Sequence, residues 1–337
     1  MGGTLKPKRK ITVLGAGSWG TVLAHHLVMS GHEVTLWGRD AQILREVTNE
    51  SSNRRYLGEA KLAAPIKAAE RVTDAVSGAE LVVVAIPSSG VRALMTELRG
   101  KIQPATMMVS ATKGLERETN KTMSEVIGEA LGGHLRVAVL SGPSFAREVV
   151  RGLPTAVTMA AVDISVAEEA ARCFHHEYFR VYTSHDVIGV EFGGAVKNVI
   201  AIAVGVIDGA GMGANARAAL ITRGLAEIQR VVEAVGGNPA TVMGLSGLGD
   251  LLLTATGDLS RNRRVGLELA KGEKLDKILT RLDQVAEGVE TTDKVLSIAR
   301  KHQVSTPIVE QVAKLIAGKV TAKESISALL ARAPKTE

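Results

Sequence analysis

The run Gly15-Ala16-Gly17-Ser18-Trp19-Gly20 restricts the fold more than any other part of the chain. It lies between an apolar, β-rich stretch, Ile11 to Leu14, and a helical pattern from about Ser18 to Met29. In that strand–turn–helix setting each glycine has its own reason. Gly15 permits a tight turn, Gly17 leaves the backbone open to the close approach of a pyrophosphate, and Gly20 allows the helix to pack near the strand. The helix N-terminus adds free N–H groups and the positive end of its dipole. Glycines at this spacing also mark ordinary turns; it is the setting that points to dinucleotide binding.

The following residues repeat the alternation. Glu33 to Trp37, Leu81 to Ile86, Thr106 to Ser110, Val137 to Leu140 and Ala156 to Met159 read as strands separated by helical patterns. Leu81 to Ile86 is continuously apolar, as a parallel strand covered on both faces must be. After about Asp186 the strand signals stop, and helices are expected at roughly 187–208, 215–235, 262–271, 289–301, 306–317 and 322–331. A chain of 337 residues exceeds what one core usually holds. The expected class is α/β: an N-terminal Rossmann-type doubly wound parallel sheet that binds the dinucleotide (1–187), joined to an all-helical C-terminal domain for substrate binding and catalysis (188–337).

The second strand of such folds usually ends in an acid that bonds the adenosine ribose. Here it ends Trp37-Gly38-Arg39-Asp40, so Arg39 stands where a 2′-phosphate would be met. Acceptance of NADP(H) is expected, with NAD(H) also open; the alternative is a solvated loop charge.

Composition narrows the partners. The net charge is +6, aromatic residues make up 3%, and no Lys/Arg block follows Lys6 to Lys10, so nucleic-acid binding is not expected. The single cysteine, Cys173, fits a reducing, cytoplasmic setting, and no signal peptide is read at the basic N-terminus. Val187 to Ile207 is long and apolar, but it contains Glu191, Lys197 and Asn198, so a buried helix is expected in place of membrane insertion. The pair His175-His176 lacks a matching ligand cluster, and no metal site is expected.

Three segments carry polar groups that a core does not need. Ser110-Ala111-Thr112-Lys113-Gly114 ends a strand, where ligands bind in open α/β sheets; Lys113 there meets a substrate oxygen or is a surface lysine. In Gly193-Gly194-Ala195-Val196-Lys197-Asn198, small residues share a helix face with Lys197. Burial lowers a lysine pKa and makes Lys197 a usable acid and base. Glu191, six residues away, lies roughly opposite on the helix and is a poor partner for it. The third segment runs from Gly247 through Asp250 and Thr254 to Ser260-Arg261-Asn262. Asp250 among glycines and leucines is costly to bury without a partner, and a lysine would supply one. Ser260, Arg261 and Asn262 at an apparent helix start make a phosphate site, although Ser260 also suits an N-cap.

In combination these runs resemble the bacterial NAD(P)-dependent glycerol-3-phosphate dehydrogenases from Lys10 to about Leu330. The resemblance rests on GAGSWGT (15–21), ATKG (111–114), SGPSFAREV (141–149), EFGGAVKNVIAIAVG (191–205), NARAALITRG (215–224), GLSGLGDLLLTATGDLSRNRRVG (244–266) and AEGVETT (286–292). It implies a nicotinamide cofactor, NAD or NADP, and interconversion of sn-glycerol 3-phosphate and dihydroxyacetone phosphate. It also implies a cytoplasmic homodimer whose product feeds glycerophospholipid synthesis. By resemblance Lys197 is the acid/base, with Asp250 and Lys113 completing the catalytic set. Lys113, Gly142, Ser144, Lys197, Asp250, Ser260, Arg261 and Asn262 contact substrate. Ser18, Trp19, Arg39, Lys113, Ala146, Arg261, Val285 and Glu287 contact cofactor, beside Gly15, Gly17 and Gly20. Where the family usually has Asp-Asn, this chain has Ala214-Asn215, leaving Asn215 as an expected helix cap.

Two other readings compete. One is a related dehydrogenase acting on 6-phosphogluconate or ketopantoate, against which the phosphate-suited Ser260-Arg261-Asn262 cluster speaks. The other is a catalytically silent nucleotide sensor, which has no need of Lys197 and Asp250 in apolar surroundings.

Overall fold

One sheet organises the first half of the chain. In sequence order its strands are β1 (Lys10–Leu14), β2 (Glu33–Trp37), β3 (Lys67–Ala69), β4 (Leu81–Val84), β5 (Met107–Ser110), β6 (Arg136–Ser141), β7 (Thr155–Ala160) and β8 (Phe179–Ser184). The computed structural model describes residues 7–62, 66–133, 136–282 and 286–333. The spatial order is β3-β2-β1-β4-β5-β6-β7-β8, and every neighbouring pair is parallel except β6 with β7. Strand order reverses between β1 and β4, and ligands of such sheets bind beyond the carboxyl ends of the strands at that point.

The two faces of the sheet bury different apolar sets. Ile11, Val13, Leu81, Val83, Met107 and Val109 face the helices Ser18–Met29, Ala41–Glu50 and Ile164–Phe174. Leu14, Val82, Val84 and Met108 face Val72–Val76, Val91–Glu97 and Met123–Leu131. That two-sided cover explains why β4 is apolar at every position. The connection from β6 to β7 holds only the helical turn Ala146–Val149, so the chain folds back antiparallel where a longer helix would have carried it across the sheet.

Contacts divide the chain into two units, Met1–Glu116 with Lys121–Val187, and Arg117–Asn120 with Ile188–Glu337. The second is helical. Its centre is Val187–Gly209, whose length and composition would allow it to cross a membrane, and whose apolar stretch is 89% buried within the protein. Glycine fixes how its neighbours approach. A Cβ on Gly205 would stand 2.1 Å from Arg263 O, and one on Gly266 would stand 2.0 Å from Ile202 O. The helix Arg261–Ala270 therefore crosses Val187–Gly209 at backbone contact, which brings its first turn against Asn198.

The helix expected at 215–235 is Gly213–Ala234. Asn215 consequently lies inside its first turn, and Met212 occupies the cap with no side-chain hydrogen bond, so the expected Asn215 cap is corrected. Asp250–Thr256 and Leu275–Leu282 are helices that the periodicity did not reveal.

Candidate functional site

In the first unit the glycine loop is held from three sides. Gly15 has φ +125°, and a Cβ there would stand 2.3 Å from Ala85 O, so both its conformation and its packing exclude a side chain. A Cβ on Gly20 would stand 1.9 Å from Gly15 O, so the close approach is of helix to turn. Gly38 packs on the same loop, where a Cβ would stand 2.6 Å from that of Ala16. Asn53, fully buried, donates from Nδ2 to Ala16 O (3.1 Å) and Thr21 Oγ1 (2.8 Å). Sequence reasoning missed this clasp, because Asn53 lies far from the motif in a segment without periodicity.

The arrangement fits a pyrophosphate. Gly17 caps the helix Ser18–Met29 with no side-chain hydrogen bond, leaving first-turn N–H groups for an anion, and the space beside its Cα is open. Ser18 opens that helix, and Trp19 packs partly against the core. Arg39 is exposed, with Nη2 3.3 Å from where a Cβ on Gly90 would lie, so it lies alongside the loop that follows β4.

Three predicted residues meet beyond β5 and β6. Lys113 Nζ donates to Gly142 O at 3.3 Å, and Ser144 Oγ donates to the same oxygen at 3.0 Å. Gly142 has φ +142°, and a Cβ would stand 2.9 Å from Val157 Cα, so only glycine turns the chain here. Ala146 begins the turn that follows and packs partly against the core. Ser110 Oγ and Ser141 Oγ, at the last positions of β5 and β6, are buried without hydrogen-bond partners among the described residues.

In the second unit Lys197 and Asp250 come together. Lys197 Nζ donates to Asp250 Oδ1 at 2.9 Å, with the side chains 6% and 3% exposed. Lys197 also donates to Thr254 Oγ1 at 2.5 Å, and that hydroxyl donates to Asp250 Oδ1 at 3.3 Å. Thr254 lies one helical turn beyond Asp250 on the same face, a spacing that could have identified it. A π-helical turn, Leu245–Gly249, delivers Asp250 to this position. Gly247 allows that turn, since a Cβ would stand 2.0 Å from Val242 O. Gly193 lets it approach the central helix, where a Cβ would stand 3.4 Å from Gly247 Cα.

A second polar network is adjacent in sequence. Asn262 Nδ2 donates to Asn198 Oδ1 (2.8 Å), and Asn262 Oδ1 accepts from Gly288 N (3.0 Å). Asn198 Nδ2 donates to Glu287 Oε2 (3.3 Å) at the start of the helix Glu287–Lys301. Much of the bonding capacity of the Asn262 amide is thus used inside the protein. Ser260 is the N-cap of Arg261–Ala270 and accepts from Arg263 N at 3.2 Å, while Arg261, partly exposed, opens that helix. Arg263 is engaged with Asp208, donating from Nε at 2.9 Å. Val285 lies outside the described residues. Among the described residues no three His, Cys, Asp or Glu side chains gather as a metal site would require.

Comparison with known proteins agrees with both halves of the chain. Residues 10–167 match the family model described as NAD-dependent glycerol-3-phosphate dehydrogenase N-terminus, and residues 186–327 match its C-terminus counterpart. A glycerol-3-phosphate dehydrogenase (NAD(P)+) of Anaeromyxobacter dehalogenans is 47% identical over 330 residues, covering 97% of this chain and 99% of the relative. The enzyme of the same name from Geobacter metallireducens is 45% identical, covering 97% and 98%. The crystal structure of glycerol-3-phosphate dehydrogenase from Coxiella burnetii superposes with a TM-score of 0.92 at 39% identity, covering 96% of this chain and 99% of that one.

Proposed function

This chain belongs to the NAD-dependent glycerol-3-phosphate dehydrogenase family, and on that premise we propose that it interconverts sn-glycerol 3-phosphate and dihydroxyacetone phosphate with NAD(H) or NADP(H). The product supplies glycerophospholipid synthesis. The observation that carries the reading is the ammonium of Lys197, buried yet held by Asp250 and Thr254. A buried cation fixed in this way suits a developing oxyanion and has little value as packing.

When bound, the reduced nicotinamide would supply the hydride that C2 of the ketone accepts. Lys197 donates a hydrogen bond and then a proton to the carbonyl oxygen as charge develops on it. Asp250 keeps Lys197 charged and oriented, and Thr254 fixes its third dimension by bonding both. Arg261, at the N-terminal end of its helix where the dipole is positive, holds the substrate phosphate. Ser260 and Asn262 shape that end by capping the helix and tying it to Asn198 and Gly288. Lys113, Gly142 and Ser144 form a further substrate contact, and Lys113 with Ala146 also touches cofactor. Gly15, Gly17, Ser18, Trp19 and Gly20 hold the pyrophosphate end, with Arg39 at the adenosine ribose and Val285 and Glu287 as further cofactor contacts. Residues 1–187 are proposed as the dinucleotide domain and 188–337 as the substrate domain. The lone buried Cys173 supports a cytoplasmic setting, and the family resemblance supports a homodimer.

Absorbance at the reduced-nicotinamide band, followed with dihydroxyacetone phosphate and either NADH or NADPH, tests the reading. Rapid oxidation is expected. A folded protein that binds cofactor and oxidises neither would overturn it.

A further inference from the structure

The loop that carries Lys113 has almost no regular structure, so its position depends on a few identifiable bonds. Before Lys113, Ala111 N donates to Val84 O (2.8 Å), and Thr112 Oγ1 donates to Ile86 O (2.8 Å). After it, Gly114 takes φ +124° beside Ser88, and Glu116 N donates to Lys121 O (2.8 Å). The firmest tie is between side chains. The Glu116 carboxylate, 8% exposed, accepts from Arg92 Nε at 2.6 Å and from Arg92 Nη2 at 2.7 Å. Arg92 lies in the first turn of Val91–Glu97, the helix that the loop after β4 enters. A fork-to-fork ion pair thus joins the first turn of the helix after β4 to the loop after the adjacent parallel strand β5, three residues from Lys113.

We propose that the Arg92–Glu116 pair is a positioning device for Lys113, setting where its ammonium stands and hence substrate affinity and turnover, without itself touching substrate. This rests on the reading of Lys113 as a substrate residue. Arg92 Nη2 also donates to Glu129 Oε2 (3.0 Å) on the helix Met123–Leu131, while β4 and β5 are paired along their length and buried on both faces independently of the Glu116 pair. Burying Glu116 has a desolvation cost, and an arginine 40% exposed returns little net stability. What a bidentate pair provides is a fixed angle as well as a fixed distance. Displacing a reacting group by about 1 Å costs roughly a hundredfold in rate.

The test measures kcat and KM for dihydroxyacetone phosphate at saturating reduced nicotinamide, with cofactor affinity and thermal midpoint alongside. Arg92→Gln is expected to lower kcat/KM by about tenfold or more. Arg92→Lys keeps the charge without the fork and is expected to recover part of the loss. The paired variant Arg92→Gln with Glu116→Gln leaves no buried charge unmatched, so it tests the idea even if Arg92→Gln alone fails to fold; the same loss is expected. A merely structural pair would lower the thermal midpoint and leave the kinetics of the folded enzyme alone. Folded paired and Arg92→Lys variants with kcat and KM within about twofold of wild type overturn the proposal. Wild-type inactivity in the same assay would instead count against the proposed function.

Discussion

Lys197 Nζ and Asp250 Oδ1 stand 2.9 Å apart with both side chains almost wholly withdrawn from water. Removing one partner has two effects that an experiment can separate. Lys197→Met removes the acid, and kcat should fall by about 10²–10⁴-fold while NADH affinity survives. It also strands a buried carboxylate, at a cost of roughly 3–5 kcal/mol in stability. The double variant Lys197→Met with Asp250→Asn should regain most of that stability and none of the turnover. Activity close to wild type in either variant would remove Lys197 from the chemistry.

Thr254→Val keeps the shape of the side chain and deletes the hydroxyl that bonds both Lys197 and Asp250. Losing a hydrogen bond to a charged group costs about 1.5–3 kcal/mol, so kcat should fall by roughly ten- to a hundredfold. KM for substrate should change less than kcat, because Thr254 acts on Lys197. A raised KM with unchanged kcat would reassign Thr254 to ground-state binding.

Much of this arrangement was legible in the residues, and the gaps have physical causes. The glycine loop, β1, β2 and β4 were readable because local backbone demands and burial on both faces write themselves into adjacent positions. β3 is three residues long and β8 is an exposed edge strand, FRVYTS, so neither carries the apolar run of a buried strand. Lys197 and Asp250 were both suspect as charges in apolar surroundings, and their pairing follows once each needs a partner. The π-helical turn before Asp250 left no periodic signal, because its conformation depends on Gly247 lying against Val242. The clasp by Asn53 and the Arg92–Glu116 pair are contacts between distant segments, which a single chain read in order does not display.

Gly38 stands after β2 where an acid would otherwise bond the ribose, with Ala16 leaving no room for a Cβ there, and Arg39 follows it, exposed. Arg39→Ala should therefore raise the KM for NADPH and leave that for NADH nearly unchanged. A charge-assisted hydrogen bond of about 1.5–3 kcal/mol corresponds to roughly ten- to a hundredfold. Equal effects on the two cofactors would show that Arg39 does not read the 2′-phosphate.

Glu227 provides the clearest dependence of stability on pH. Its carboxyl is 1% exposed and accepts from Ile308 N (2.8 Å) and Val309 N (3.2 Å), capping the helix Pro307–Ile316 from a neighbouring helix. Burial outweighs these two bonds and pushes its pKa up to about 7, from 4.5. Between those values the native state holds a proton that the unfolded chain has released, so stability falls as pH rises. The contribution is fully present below pH 4.5 and is lost on passing pH 7, a change of about 3 kcal/mol. Glu227→Gln cannot titrate. The stability difference between wild type and Glu227→Gln, taken from denaturant midpoints, should therefore shrink in favour of the variant from pH 4.5 to pH 8. A difference that stays constant across that range would mean that the carboxyl ionises as readily in the folded protein as in the unfolded chain.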